Sequence, residues 1–114
     1  MLNKKNRIGN RYLIEKLFGK GNLYKNRLFN FRYFPSTEPV SKFAVVVSSK
    51  ICKKAVDRNT LRRHIFEAIR MNIGLIKTPM VSLIIAKSSA ANADYKTIND
   101  SVIDFINQDN LNVQ

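Results

Sequence analysis

Phe43-Ala44-Val45-Val46-Val47-Ser48, then a lysine-rich turn, then Ala55-Val56-Asp57-Arg58-Asn59-Thr60-Leu61-Arg62-Arg63-His64-Ile65-Phe66-Glu67-Ala68-Ile69-Arg70: on this stretch the fold turns. Its first part is apolar and β-branched, which favours a strand. Its second part changes period. At about 100° per residue, Leu61, Ile65, Ala68 and Ile69 fall on one face of a helix running from Ala55 to about Asn72 and ending near Gly74. A strand feeding directly into a long amphipathic helix predicts a sheet covered by helices, not an all-helical or all-β chain.

Working outward, Asn10 to Phe18 places Leu13 with Leu17, and Ile14 with Phe18, at i, i+4 spacing, so a short helix is expected, closed by Gly19 and Gly21. Leu28 to Phe34 alternates: Phe29, Phe31 and Tyr33 point one way, Asn30 and Arg32 the other. Pro35, Ser36 and Pro39 break the chain in a short loop. The Phe43 to Ser48 strand is expected to pair with the preceding one as a hairpin. Met80 to Ala86 reads as a buried strand. From Asn92 or Asp94 to Ile106, the apolar residues Tyr95, Ile98, Val102, Phe105 and Ile106 recur at helical spacing behind an Asn or Asp cap. The expected class is α+β, a single-domain α/β sandwich over residues 1–114. The order is α-β-β-(β)-α-β-α, with the bracketed element a short strand near Leu23 to Lys25.

Charge limits the partners. Twenty Lys and Arg against eight Asp and Glu give a net charge of +12. The excess is segregated: +8 over residues 1–33, +5 over residues 34–70, and −1 over residues 71–114. A positive field confined to one part of a domain suits a polyanion. An anionic membrane surface is the other candidate, but it needs bulky apolar residues exposed opposite the basic ones. The longest apolar run, Val81 to Ala86, is too short to span a bilayer, and no secretory signal is recognisable at the N-terminus. The one cysteine, Cys52, excludes an intramolecular disulfide and a multi-cysteine zinc site. A soluble cytoplasmic protein is expected.

From Lys50 to Arg70 there are seven basic residues and two acids. Asn59, Arg62, Arg63, Phe66 and Arg70 share an arc of roughly 100° beginning beside the apolar face. A merely solvated helix face would mix its signs in i, i+4 pairs. This arc instead offers guanidinium groups, which grip phosphate bidentately and stack on bases, around one aromatic ring.

The Ser49-Lys50 step, the lysine-rich turn, the run Ala55-Val56-Asp57-Arg58-Asn59, then Leu61-Arg62-Arg63 and Glu67-Ala68-Ile69-Arg70, together resemble the signature of the bacterial ribonuclease P protein family. Asn6-Arg7-Ile8 and the Leu17-Phe18 pair before glycine are similar to that family's N-terminal region. Four positions depart from its pattern. Thr60 stands at the third hallmark position in place of arginine, Phe66 where many members are basic, Ile14 where phenylalanine is frequent, and Arg32 where tyrosine is common.

The resemblance implies an accessory subunit of an endoribonuclease whose RNA cleaves precursor tRNA at the 5′ end of the mature tRNA. Magnesium would be held mainly by RNA, and the protein alone would bind no cofactor or metal and stay a monomer. It also implies a left-handed crossover around the basic helix, against the usual preference. Lys50, Lys53, Lys54, Arg58, Asn59, Arg62, Arg63 and Arg70 would contact the catalytic RNA. A cleft between the first helix and the sheet would take the single-stranded 5′ leader of precursor tRNA through Arg7, Arg11, Ile14, Phe18, Arg27, Asn30 and Arg32. An aromatic with a cationic groove binds single strands of varied sequence. Phe18 and Ile14 admit a second reading as core, whereas Phe29, Phe31 and Tyr33 are read as core.

No catalytic group of the polypeptide itself stands out. His64 is the only histidine, and Cys52 has no partner at a recognisable spacing. Gly19-Lys20-Gly21 lacks the length and context of a phosphate loop. A ribosomal or ribosome-assembly protein would share the charge and size, but has no reason to carry the Arg58-Asn59 helix start. A DNA-binding regulator would want a helix-turn-helix pair, which the strand before the basic helix argues against. Repulsion among clustered cations opposes compaction and bound anions relieve it, so sulfate should raise the melting temperature. A melting curve indifferent to sulfate would contradict that expectation.

Overall fold

The computed structural model describes residues 2–112, with side chains through residue 108. Residues 1, 113 and 114, the ends of the span expected to form one domain, lie outside the described residues. The elements are α1 (Arg11–Lys20), β1 (Asn22–Lys25), β2 (Phe29–Pro35), β3 (Lys42–Val46), α2 (Ala55–Asn72), β4 (Met80–Ala86) and α3 (Tyr95–Asn112). The α+β class and the element order expected from the sequence are present, including the short strand β1.

The sheet has the order β1-β2-β4-β3. The expected hairpin between β2 and β3 does not form. β4 lies between them, antiparallel to β2 with Phe31 opposite Ile84, and parallel to β3 with Val45 opposite Ile84. Periodicity reports which face a side chain occupies, not which strand lies beside it. β4 is apolar on both faces and fits the centre of the sheet, while β1, only four residues long, takes the hairpin partnership with β2. The parallel β3–β4 pair requires a crossover, and α2 is that crossover.

Alternation divides the sheet into two unequal faces. On one, Phe29, Phe31, Phe43, Met80, Ile84 and Ala86 are buried beneath α2 and α3. Leu61, Ile65, Ala68 and Ile69 of α2 are all buried there, as the helical spacing predicts. Ile98, Val102, Phe105 and Ile106 of α3 complete the layer. At its centre the Phe31 and Phe105 rings stack, with centroids 4.1 Å apart and planes 7° from parallel. Tyr24 and Tyr33 pack around Phe105 at 5.7 and 5.2 Å.

The second face is smaller: Leu17 of α1 is fully buried on Val81 and Leu83. Helix α1 extends through Gly19 to Lys20, beyond the expected stop, and its C-cap is Gly21. A Cβ at Gly21 would sit 2.7 Å from the Leu17 carbonyl oxygen and 3.3 Å from the Tyr33 nitrogen, so close backbone approach requires glycine there.

Polar ties fix the layers. The Asn72 amide donates to the Ala68 carbonyl and to Asn99 Oδ1, each at 2.7 Å, joining α2 to α3. In the β1–β2 turn, Asn26 accepts from the Leu28 and Phe29 amides and donates to the Ser101 carbonyl of α3. Asp94 caps α3 by accepting from the Thr97 amide at 2.8 Å. Hydrogen bonds from the Thr97 side chain and backbone hold its carboxyl below the usual aspartate range. Before α1, the N-terminal arm runs along β3: the Ile8 amide donates to the Phe43 carbonyl at 2.9 Å, and Asn6 is buried, donating to the Ser41 carbonyl at 2.8 Å.

Because Phe105 stacks on the sheet and meets three aromatic rings, Phe105→Ala should cost about 3–5 kcal/mol in urea unfolding. A loss below about 1 kcal/mol would mean that this ring does not organise the core.

Candidate nucleic-acid interface

The basic residues singled out in the sequence separate onto two surfaces. The first is built on α2 and the turn before it. Ser48 shapes that turn: its hydroxyl accepts from the Lys50 amide, and its carbonyl accepts from the Ile51 and Cys52 amides. Lys50, Lys53 and Lys54 are exposed on the turn. Arg58 does not project freely beside them. Its Nη1 donates to the Cys52 and Lys53 carbonyls, both at 2.9 Å, and so clamps the lysine turn to the first turn of α2. Lys54, the N-cap of α2, makes no side-chain capping bond, and this clamp holds the junction in its place.

The other α2 cations are held one turn from their own partners. Arg62 donates to Asn59 Oδ1 at 2.6 Å, and Arg63 donates to Thr60 Oγ1 at 3.2 Å. Thr60 in turn donates to the Val56 carbonyl at 2.9 Å. The threonine at the third hallmark position thus steers a neighbouring arginine. Arg70 is bidentate on Glu67, which holds that carboxyl below the usual glutamate range. The guanidinium band is therefore partly paired, more than the sparse acids of this segment suggested. His64 is partly buried, its ring edge-to-face with Tyr95 at 5.9 Å, and Cys52 is buried.

The second surface is the part of the opposite sheet face that α1 leaves open. Lys16 reaches over the Phe34 ring, 5.0 Å from its centroid, so that flank of α1 leans toward the C-terminal end of β2. Arg11, Ile14 and Phe18, spaced i, i+3 and i+7, share the other flank, facing the Arg32 and Asn30 end. Phe18 is 50% exposed, which sets aside its reading as core, while Ile14 is partly buried against the Leu17 cluster. Arg11 is exposed and pairs with Glu15 at 3.4 Å. On the floor, Asn30 and Arg32 project away from the core-facing Phe29, Phe31 and Tyr33, as alternation predicts. Asn30 Oδ1 is buried and meets no hydrogen-bond partner among the described residues.

Arg27 sits in the β1–β2 turn at the far end of this floor, its carbonyl accepting from the Ser89 hydroxyl. Arg7 is not in the cleft. It lies on the N-terminal arm, bridged to Phe43 at the β3 edge, which places it nearer α2. Sequence reasoning missed two residues of the open face. Leu23 stands opposite Arg32 and Lys25 opposite Asn30 in the β1–β2 register, so both share the cleft floor. The signal was the four-residue alternation Asn22-Leu23-Tyr24-Lys25 before the Asn26-Arg27 turn. Among the described residues no group of three or more His, Cys, Asp or Glu could hold a metal ion, and no helix is long and apolar enough to cross a membrane.

Comparison with known proteins shows the family of the chain. The family model for ribonuclease P matches residues 2–108. The chain belongs to the ribonuclease P protein family. Among curated relatives, the ribonuclease P protein component of Listeria innocua is 32% identical over 103 residues, covering 90% of this chain and 86% of the relative. That of a Pseudanabaena species is 25% identical over 103 residues, covering 90% and 89%. In fold, the chain matches the Thermotoga maritima RNase P protein with a TM-score of 0.80 at 23% identity, over 88% of this chain and 96% of that one. The Staphylococcus aureus protein matches with a TM-score of 0.77 at 23% identity, over 90% and 93%. Ribonuclease P protein components are subunits of an endoribonuclease of tRNA processing in which RNA carries the catalysis, and binding of that RNA and of precursor tRNA follows from membership.

Arg58, although first in the basic signature, makes its contacts within the protein. Arg58→Ala should lower stability by about 1–2 kcal/mol in urea. Arg63→Ala, at an exposed site, should stay within about 0.5 kcal/mol of the parent. Equal, negligible effects of the two would contradict the clamp.

Proposed function

We propose that the two surfaces divide the work of a ribonuclease P protein subunit: the α2 surface grips the catalytic RNA, and the α1 cleft holds the 5′ leader of precursor tRNA. The observation that carries this reading is their placement on opposite faces of one sheet. A rigid layer between two RNA elements fixes the distance between them, and position is what a subunit without reactive groups of its own can contribute.

Lys50, Lys53, Lys54, Asn59, Arg62, Arg63 and Arg70 supply the α2 contact, and Arg58 shapes it from within. Arg62 and Arg63, already oriented by Asn59 and Thr60, give up less freedom on meeting phosphate than unrestrained side chains would. In the cleft, Phe18 gives a face for a base, and Arg11, Arg32 and Lys25 line the path of the backbone. Asn30 stands beside Arg32 on the same floor, where its amide group can meet a base edge or a 2′-hydroxyl. Arg27 extends the cationic path at the turn. Magnesium enters with the RNA and is held mainly by it. The protein acts in the bacterial cytoplasm and is a monomer until it joins the RNA.

The test is precursor-tRNA cleavage by a bacterial ribonuclease P RNA at low magnesium, with and without the protein. Wild type should stimulate cleavage. Arg62→Ala plus Arg63→Ala should weaken both stimulation and RNA affinity, and lower the salt slope by about 1 for each phosphate that is no longer neutralised. Stimulation unchanged by the double substitution would move the RNA contact off α2, and no stimulation by wild type would overturn the subunit role.

A further inference from the structure

A groove of about 590 Å³ opens between the N-terminal arm and α2, at the margin of the α2 surface. Its volume lies within the ~300–1,000 Å³ range of small-ligand sites. Phe43, almost fully buried, and Phe66 and Ile8, both partly buried, give it an apolar interior. Lys4 and Arg7, both exposed, stand on its arm side. Gly9 adds no wall, since a Cβ there would meet nothing within 4 Å. On α2, Arg62 and Arg70 lie one turn to either side of Phe66 and share its face. None of the residues lining the groove is acidic.

An apolar slot enclosed by cations asks for a ligand of split character, with an apolar flat part to enter and an anionic part to remain at the rim. A phosphate alone would gain nothing from Phe43, Ile8 and Phe66. A lipid chain would need an apolar channel deeper than this open slot. A nucleobase on its sugar-phosphate chain has both parts, and base–aromatic stacking beside cations is the general means by which proteins hold unpaired nucleotides. We propose that this groove seats one unpaired nucleobase of the partner RNA against Phe66, with Lys4, Arg7 and Arg62 on the flanking phosphates. The proposal rests on the α2 surface being the RNA contact and adds to it a base-holding pocket centred on Phe66.

Stacking and phosphate contact differ in their response to salt. Phe66→Ala should weaken binding of a bacterial ribonuclease P RNA about 5- to 150-fold with the salt slope unchanged, whereas Arg7→Ala should lower the slope by about 1. Phe66→Leu keeps an apolar side chain against the core and should match wild type in melting temperature while binding RNA as weakly as Phe66→Ala. The chain has no tryptophan, so Phe66→Trp places a single indole in the groove. Its fluorescence should be quenched by the RNA and not by polyphosphate, a polyanion without bases. Wild-type affinity in Phe66→Leu, or equal quenching by RNA and polyphosphate, would overturn the proposal while leaving the α2 contact in place. Failure of wild-type protein to bind the RNA would instead remove the reading on which it rests.

Discussion

The position of β4 governs the molecule. It is the one strand with neighbours of both kinds, antiparallel to β2 and parallel to β3. A parallel neighbour cannot be reached by a tight turn, so the chain between β3 and β4 must cross a face of the sheet, and the lysine turn and α2 are that crossing. With α3 beside it, α2 fills one face. Helix α1, ten residues long, covers only part of the other and leaves Asn30 and Arg32 partly exposed. Both surfaces proposed to meet RNA thus follow from where one strand is inserted.

Stability and the proposed recognition are carried by different residues. The core is a dry layer of aliphatic side chains around the Phe31–Phe105 stack, where burial at about 25 cal/mol per Å² of apolar surface supplies the driving force. The basic side chains lie above that layer and hold one another through short-range contacts: Arg62 to Asn59, Arg63 to Thr60, Arg70 to Glu67. Exposed contacts of this kind add little to folding. They limit rotamer freedom instead, so a positively charged surface keeps its shape without acids in number to neutralise it. Arg58 is the exception, because its two carbonyl partners belong to the backbone of the turn.

Which parts of this were readable beforehand follows from what sequence patterns encode. Helix α2 was legible closely, because Leu61, Ile65, Ala68 and Ile69 mark one face and Gly74 stands near its end. The split between Phe29, Phe31, Tyr33 and Asn30, Arg32 was legible because strand alternation is a local property. The partner of β3 was not, since pairing depends on residues some forty positions away. Helix α1 runs past Gly19 to its cap at Gly21, where the close approach of Leu17 and Tyr33 is a tertiary constraint. The role of Arg58 was hidden for the same reason: a sequence shows a charge, not which carbonyls will turn toward it. Lys25 and Leu23 escaped because a four-residue strand carries too short a pattern to anchor a face.

The N-terminal arm has a significance that reaches beyond RNA. A mixed sheet ends in two edges, and an unpaired edge offers its amides and carbonyls to any extended chain that drifts past. At the β3 edge, the arm meets that offer through the bond from Ile8 to Phe43. Arm and helix are joined through Gly9, where a Cβ would meet nothing within 4 Å. Loss of the arm would leave a self-templating edge on a protein otherwise kept apart by its charge.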